Sequence, residues 1–370
     1  MLEIIEALGK FDNLEEIREG ANSYAFSARH RHLDQPRFLK LIYLPEDDPD
    51  SILREPKTLV AALEGGPPCE NIVRLFDAEV VPINGDDYVL LQLELIEGLS
   101  LQRQLEQSPF GQQDAVRITS GILRGVSHLH AKRLLHRDLK PANILLSQGI
   151  PKLADFGSVA YLREGLTSVS ASKHSDLYVP PEGWAKPSQY SFVSDVYQAA
   201  LVLYQLINGS LPTAGDQYVT KAVHRELAKQ NTPYDGLDPY EKGAAEKKGL
   251  AELTSKERLL GHALAPRPYY SPSIRRIINN ATRADPARRI QSACDFLTRL
   301  SQVDVPNWIP DGDTFTAANW RGWDWRIRER GGAPGNAVQI ERSRVSANKY
   351  RRHAEPNTLE GAFELIEGVQ

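Results

Sequence analysis

Asp138, Lys140 and Asn143 stand at positions i, i+2 and i+5 of the run His136-Arg137-Asp138-Leu139-Lys140-Pro141-Ala142-Asn143. A carboxylate, an ammonium group and an amide oxygen at this spacing can accept the proton of an attacking hydroxyl, neutralise a phosphate and ligate magnesium. Asp155, in Asp155-Phe156-Gly157, supplies a second metal-binding carboxylate. The stretch from Ile144 to Ala154 reads as a short hairpin that returns the chain to the same cleft. Moving a γ-phosphoryl group needs a cation on the nucleotide phosphates, metal ligands and a carboxylate that orients the nucleophile, and each has a candidate in this short segment.

The elements that must position these groups follow from hydrophobic periodicity. From Phe11 to Leu95 the pattern favours short strands broken by turns, with one helical stretch from about Ser51 to Leu63. From Leu101 onward helical patterns dominate, as in Asp114 to Ala131 with Ile118, Ile122, Val126 and Leu129. Val193 to Asn208 is apolar or small at almost every position, which predicts a helix buried at the centre of a helix-rich lobe. Gly209 to Pro268 is polar and punctuated by Gly and Pro. It reads as a surface excursion with short helices, in which the charge run Glu241 to Lys248 is a solvated helix face. After Ser301 come Trp308, Trp320, Trp323 and Trp325, four of the five tryptophans. Alternation of Trp323, Trp325 and Ile327 with Asp324, Arg326 and Arg328 predicts a hairpin over Thr314 to Val345, turning at Gly331 to Gly335, before a helix from Leu359 to Ile366.

A chain of 370 residues that is 41% hydrophobic can bury a full core and is not disordered. Its formal net charge of -4 excludes a protein that coats nucleic acid or an anionic membrane with its whole surface. Cys69 and Cys294 have neither disulfide-framework nor zinc spacing, which fits a reducing cytoplasm. No stretch reaches the run of about 18 apolar residues that a membrane span requires, so a soluble, unprocessed protein is expected.

The motif set resembles that of the eukaryotic-like Ser/Thr protein kinases over roughly residues 10 to 300. The resemblance implies an α+β, two-lobed fold occupying residues 1–300. Its strand-rich N-lobe would span about 10–95 and its helical C-lobe about 97–300, enlarged at about 209–268, with a small α/β hairpin-and-helix module at 303–370. It implies ATP with Mg2+, or Mn2+, in the interlobe cleft and transfer of the γ-phosphoryl group to Ser/Thr hydroxyls of protein substrates. Asp138 and Lys140 take the catalytic positions, Asn143 and Asp155 the metal positions. A lysine two residues after the catalytic aspartate goes with Ser/Thr substrates in that family. Lys40 matches the strand lysine that holds the α- and β-phosphates, with Glu55 as its helix partner. Leu93 takes the gatekeeper position, and the backbone of Glu94 and Ile96 the adenine edge. Leu59, Leu75, His136 and Phe156 match a hydrophobic stack joining the lobes, and Gly157 completes the metal-binding triplet. Glu182, in Pro180-Pro181-Glu182, is expected to pair with Arg289, and Asp195 to hold the catalytic-loop backbone. Arg137 would receive an activation-loop phosphate by autophosphorylation, with Thr167, Ser168, Ser170 and Ser172 as acceptors. Ser175 matches the residue that contacts the catalytic aspartate close to the substrate.

Above the nucleotide the family pattern is altered. The glycine-rich loop keeps only Gly20, with Arg18 and Ser23 at the other two glycine positions, so its backbone should approach phosphates less freely. Ala25 stands where the family has valine, and Phe38 where it has alanine two residues before the lysine. One side chain shrinks as the other grows, which predicts a reshaped adenine roof rather than a blocked pocket. Pro56 directly after Glu55 places that glutamate at a helix start or kink. The alternatives are a nucleotide-binding pseudokinase scaffold and a small-molecule kinase of the same fold. In the tail, arginines interleave with aromatics, which suits a structural or protein-docking module, nucleic-acid binding confined to this module, or regulation of the kinase.

Overall fold

The computed structural model describes residues 5, 8–17, 23–45, 53, 57–62, 68–83, 85–170, 176–213, 215–329, 338–345, 347 and 349–368. Arg18, Gly20, Glu55, Pro56, Ser172 and Ser175 lie outside these residues, as does the side chain of Ser23. Among the described residues no helix is long and apolar enough to cross a membrane.

Strands β1 (Phe11–Ile17), β2 (Ser23–His30), β3 (Gln35–Leu44), β4 (Leu75–Ile83) and β5 (Asp86–Leu93) form an antiparallel sheet in the order β1-β2-β3-β5-β4. The two-residue period of β3 sorts its side chains between the faces. Leu39 and Leu41 enter an outer cluster with Phe11, Phe26 and Leu90, whereas Phe38 and Ile42 pack against the main core on the other face. Helical residues 57–62 set Leu59 and Ala62 into that main core.

Beyond β6 (Leu99–Ser100) the chain becomes helical, through α1 (Leu101–Gln107) and α2 (Gln112–Ala131). Ile118, Ile122, Val126 and Leu129 of α2 are fully buried, as their spacing demands. Strands β7 (Leu134–Leu135), β8 (Ile144–Ser147) and β9 (Ile150–Leu153) frame the motif segment, and β8 and β9 form the expected hairpin. After β10 (Ala160–Tyr161), β11 (Val169–Ser170) and β12 (Gln189–Tyr190) comes α3 (Phe192–Asn208), whose residues from Ser194 to Ile207 are at most 2% exposed. The polar excursion folds into α4 (Lys221–Lys229), α5 (Pro239–Ser255) and shorter turns, followed by α6 (Pro272–Ala281) and α7 (Ala293–Ser301).

The tail exceeds the expected hairpin. Strands β13 (Ile309–Asp311), β14 (Thr314–Trp320), β15 (Trp323–Glu329), β16 (Val338–Arg344) and β17 (Arg351–Ala354) make a second five-stranded antiparallel sheet, closed by α8 (Leu359–Glu367). The flanking strands have three and four residues, too few to show a period. The ring of Phe363 on α8 meets Trp308, Phe315 and Tyr269 edge-on, at centroid separations of 5.0, 5.2 and 5.9 Å. Buried tail residues therefore join one core with the helical lobe. Asn307 also caps α2: its Oδ1 accepts from the backbone N–H of Gln113 at 3.0 Å, and its Nδ2 donates to Asp114 at 2.9 Å.

Candidate active site

The segment between β7 and β8 carries the candidate chemistry, and its shape is set from beneath by the first two turns of α3. Asp195, fully buried there, accepts the backbone N–H of His136 at 2.9 Å on Oδ2 and that of Arg137 at 2.8 Å on Oδ1. One turn along, Gln198 accepts the N–H of Leu139 at 3.1 Å and donates to the carbonyls of Arg137 and Tyr178 at 3.1 and 3.2 Å. Two side chains thus fix the backbone on both sides of Asp138, at His136, Arg137 and Leu139. Arg137 is held at φ 67°, a left-handed conformation unusual for arginine that a firm framework can sustain.

His130, at the end of α2, bonds Asp195 Oδ2 at 2.8 Å. Burial penalises the Asp195 carboxylate, but the His130 bond and the backbone donors outweigh this and hold its pKa below the usual carboxylate value. The imidazole of His136, enclosed against Phe156 at a centroid distance of 5.8 Å, is pushed below the ordinary histidine pKa by burial. Leu59 and Phe156 belong to the main core, Leu75 packs against that core, and the His136 ring lies beside that of Phe156.

On this base Asp138 is 4% exposed, and its Oδ2 receives Lys140 Nζ at 2.8 Å and Asn143 Nδ2 at 3.0 Å. Asn143 Nδ2 also reaches the Asp138 carbonyl at 2.9 Å. Among the described residues no protein donor reaches Asp138 Oδ1. The β8–β9 hairpin brings the second carboxylate back: the Ala154 N–H donates to the Asn143 carbonyl at 2.9 Å, one residue before Asp155. Asp155 is exposed at φ 59°, while Phe156 is fully buried, so the backbone turns sharply between a solvated carboxylate and a core ring. Oxygen donors from a carboxylate and an amide suit a hard divalent cation that keeps waters and phosphate oxygens in its remaining positions.

The roof is β2 and β3. Ala25 is the direct cross-strand partner of Lys40, and Phe38 is the partner of both Ser27 and Leu93. Ala25 and Lys40 therefore share the face of the sheet on which Phe38 lies. Leu93 ends β5 at 6% exposure. The Glu94 N–H donates to the Arg74 carbonyl at 2.8 Å, and Lys152 on β9 holds the Glu94 carboxylate at 2.9 Å. Among the described residues no backbone donor occupies the Glu94 carbonyl and no backbone acceptor the Ile96 N–H.

Glu182 and Arg289 form the expected pair, bidentate at 2.8 Å for both bonds, with Ser194 also donating to Glu182. Arg137, the expected phosphate receptor, donates from Nε to the Ser158 carbonyl at 2.6 Å and from Nη1 to that of Ser170 at 2.7 Å. Thr167 is exposed, Ser170 is exposed beside this bond, and Ser168 donates to Gln189 at 2.9 Å across the β11–β12 pair. Sequence reasoning missed Gln198, His130 and Lys152. A signal existed for the first: glutamine in an otherwise apolar, buried helix must find partners.

Residues 11–299 match the family described as protein kinase domain. The chain belongs to that family. Its two lobes are those of the protein kinase fold, and it is similar to bacterial Ser/Thr protein kinases. It is 30% identical over 239 residues to the serine/threonine-protein kinase PknL of Mycobacterium tuberculosis, covering 60% of this chain and 56% of that protein. It is 30% identical over 213 residues to the DNA damage-responsive serine/threonine-protein kinase RqkA of Deinococcus radiodurans, covering 56% and 31%. The serine/threonine-protein kinase PrkC of Bacillus subtilis matches at 26% over 292 residues, covering 78% and 39%. The kinase chain thus spans less than two thirds of the length of each of these relatives.

Proposed function

We propose that this chain transfers the γ-phosphoryl group of ATP to serine or threonine hydroxyls of protein substrates. The observation that carries the reading is the state of Asp138: one carboxylate oxygen is held by Lys140 and Asn143, and among the described residues the other meets no protein donor, which leaves it for a substrate hydroxyl. In this reading Asp138 orients the hydroxyl and accepts its proton as the bond to phosphorus forms. Lys140, already beside the carboxylate, carries the charge that meets the γ-phosphate. Asn143 and Asp155 hold magnesium, which supplies charge neutralisation on the nucleotide phosphates when bound. Lys40 takes the α- and β-phosphates, and the Glu94 carbonyl with the Ile96 N–H takes the adenine edge below Ala25, Phe38 and Leu93. The Ser/Thr specificity rests on Lys140 and on similarity to the bacterial kinases above.

Phosphate transfer from radiolabelled Mg-ATP to a mixed Ser/Thr peptide pool tests this. Asp138→Ala should lower kcat by about 10²-fold to 10⁴-fold, the usual worth of a positioned acid or base, while nucleotide binding persists. Native protein that transfers nothing would leave the pseudokinase reading, which one observation favours: Phe38 lies on the cleft face of β3, where its ring would weaken ATP binding. Isothermal titration with Mg-ATP separates the two: no binding by native protein and recovery in Phe38→Ala would make Phe38 a block.

A further inference from the structure

The arginines of the C-terminal sheet fall into two classes. On one face Arg326 and Arg328 share Glu341, at 3.7 and 3.9 Å. On the other, Arg342 and Arg344 both stack on the Trp323 ring, each 4.2 Å from its centroid. Arg351 stands directly opposite Arg342 on the neighbouring strand. Among the described residues no carboxylate lies within ion-pair reach of Arg342, Arg344 or Arg351. Like charges directly opposed across two strands destabilise a sheet. The row Trp325, Arg342, Arg351 therefore sets two cations side by side where folding alone gains nothing from the pairing.

A guanidinium stacked on an aromatic ring keeps its in-plane N–H groups free for an oxyanion, and the ring fixes its orientation beforehand. Arg342 and Arg344, two residues apart on β16 and bound to one ring, hold two such donor edges in a fixed relation. Arg351 adds a third cation from β17. We propose that this face binds a phosphoserine or phosphothreonine side chain of a partner protein, so that the tail docks segments already phosphorylated. A phosphomonoester carries close to two negative charges and three acceptor oxygens, which suits a cluster of three neighbouring arginines better than a single carboxylate does. Single-stranded nucleic acid fits less well, because base stacking needs an open ring face. Trp325 is fully buried and Trp323 already carries two guanidinium groups. The choice of phosphoserine and phosphothreonine over other phosphate carriers rests on the Ser/Thr kinase reading above.

Fluorescence anisotropy with the full chain tests this, using a degenerate phosphothreonine peptide pool, its unphosphorylated twin and a single-stranded DNA oligonucleotide. The phosphorylated pool should bind at least about tenfold tighter than its twin, and Arg344→Gln should remove that difference. Arg342→Lys keeps the charge but loses the stacked fork, and should weaken binding about threefold to tenfold. Arg328→Gln, on the other face, should change nothing. Arg344 is exposed, so its substitution should leave thermal unfolding and peptide phosphorylation as in the native protein. Asp138→Ala protein should bind the phosphorylated pool as native protein does, which keeps this result separate from the fate of the phosphotransfer reading. Equal binding of the two peptide pools overturns the proposal. So does tighter binding of the oligonucleotide that is lost with Arg344→Gln, an outcome that assigns the face to nucleic acid.

Discussion

The floor and the roof of the cleft are built by different means. Beneath Asp138, the buried side chains of Asp195 and Gln198 bond the backbone on both sides of it, and changing either leaves a donor or acceptor unmatched. Above the nucleotide position, β2, β3 and β5 are joined by backbone pairing that ignores side-chain identity, so Ala25 and Phe38 can depart from the family pattern within an intact sheet. Hydrogen-bonded loops conserve shape through specific residues, whereas sheets conserve shape through the backbone and let side chains vary.

Asp195→Asn should show the largest effect that breaks this contrast. An amide can accept one N–H but sets its NH2 group against another donor, so about 3 kcal/mol of stability should be lost in urea unfolding, together with most activity. Gln198→Leu comes next, at about 2 kcal/mol, because it strips the Leu139 N–H and leaves carbonyls of Arg137 and Tyr178 without that donor. Steady-state kinetics should show kcat falling while KM for ATP holds, since the change lies in the floor. Phe38→Ala should do the reverse: a half-buried ring lost from the roof costs about 1–2 kcal/mol and shifts KM for ATP less than tenfold at unchanged kcat. A drop in kcat with Phe38→Ala would show that roof and floor are not separable.

The smallest effect concerns pH. His136 is held neutral by burial, so its folded pKa lies below 6.5 and the unfolded chain binds the proton more readily. Stability then rises with pH, and the contribution is lost as pH falls from 6.5 toward the folded pKa, by at most about 1.4 kcal/mol per pH unit. Asp195, shifted below 3.8, fails only in more acid solution. Thermal melts at pH 7.5 and 5.5 should therefore show a smaller drop for His136→Phe than for native protein.

Sequence alone disclosed the floor because its motif residues are neighbours in the chain: Asp138, Lys140 and Asn143 meet through local turns. Glu182 with Arg289 and Asp195 with the loop were accessible only through family resemblance, since the partners are far apart in sequence. Gln198 escaped both routes, because its role depends on which side of α3 faces the loop. The tail was legible as strands and a helix but not as a sheet. The stacking of Arg342 and Arg344 on Trp323 is a matter of cross-strand register, which alternation within one strand does not reveal.

The kinase family match ends at residue 299, yet Asn307 caps α2 and the ring of Phe363 closes over Tyr269. Homology and folding therefore draw different borders. A chain cut after residue 299 would keep every motif residue and still open an aromatic face to water, with α2 beginning uncapped. The tail side chains Trp308, Phe315 and Phe363 lie in the interior they share with this lobe, so the tail is packed into it rather than hung from it.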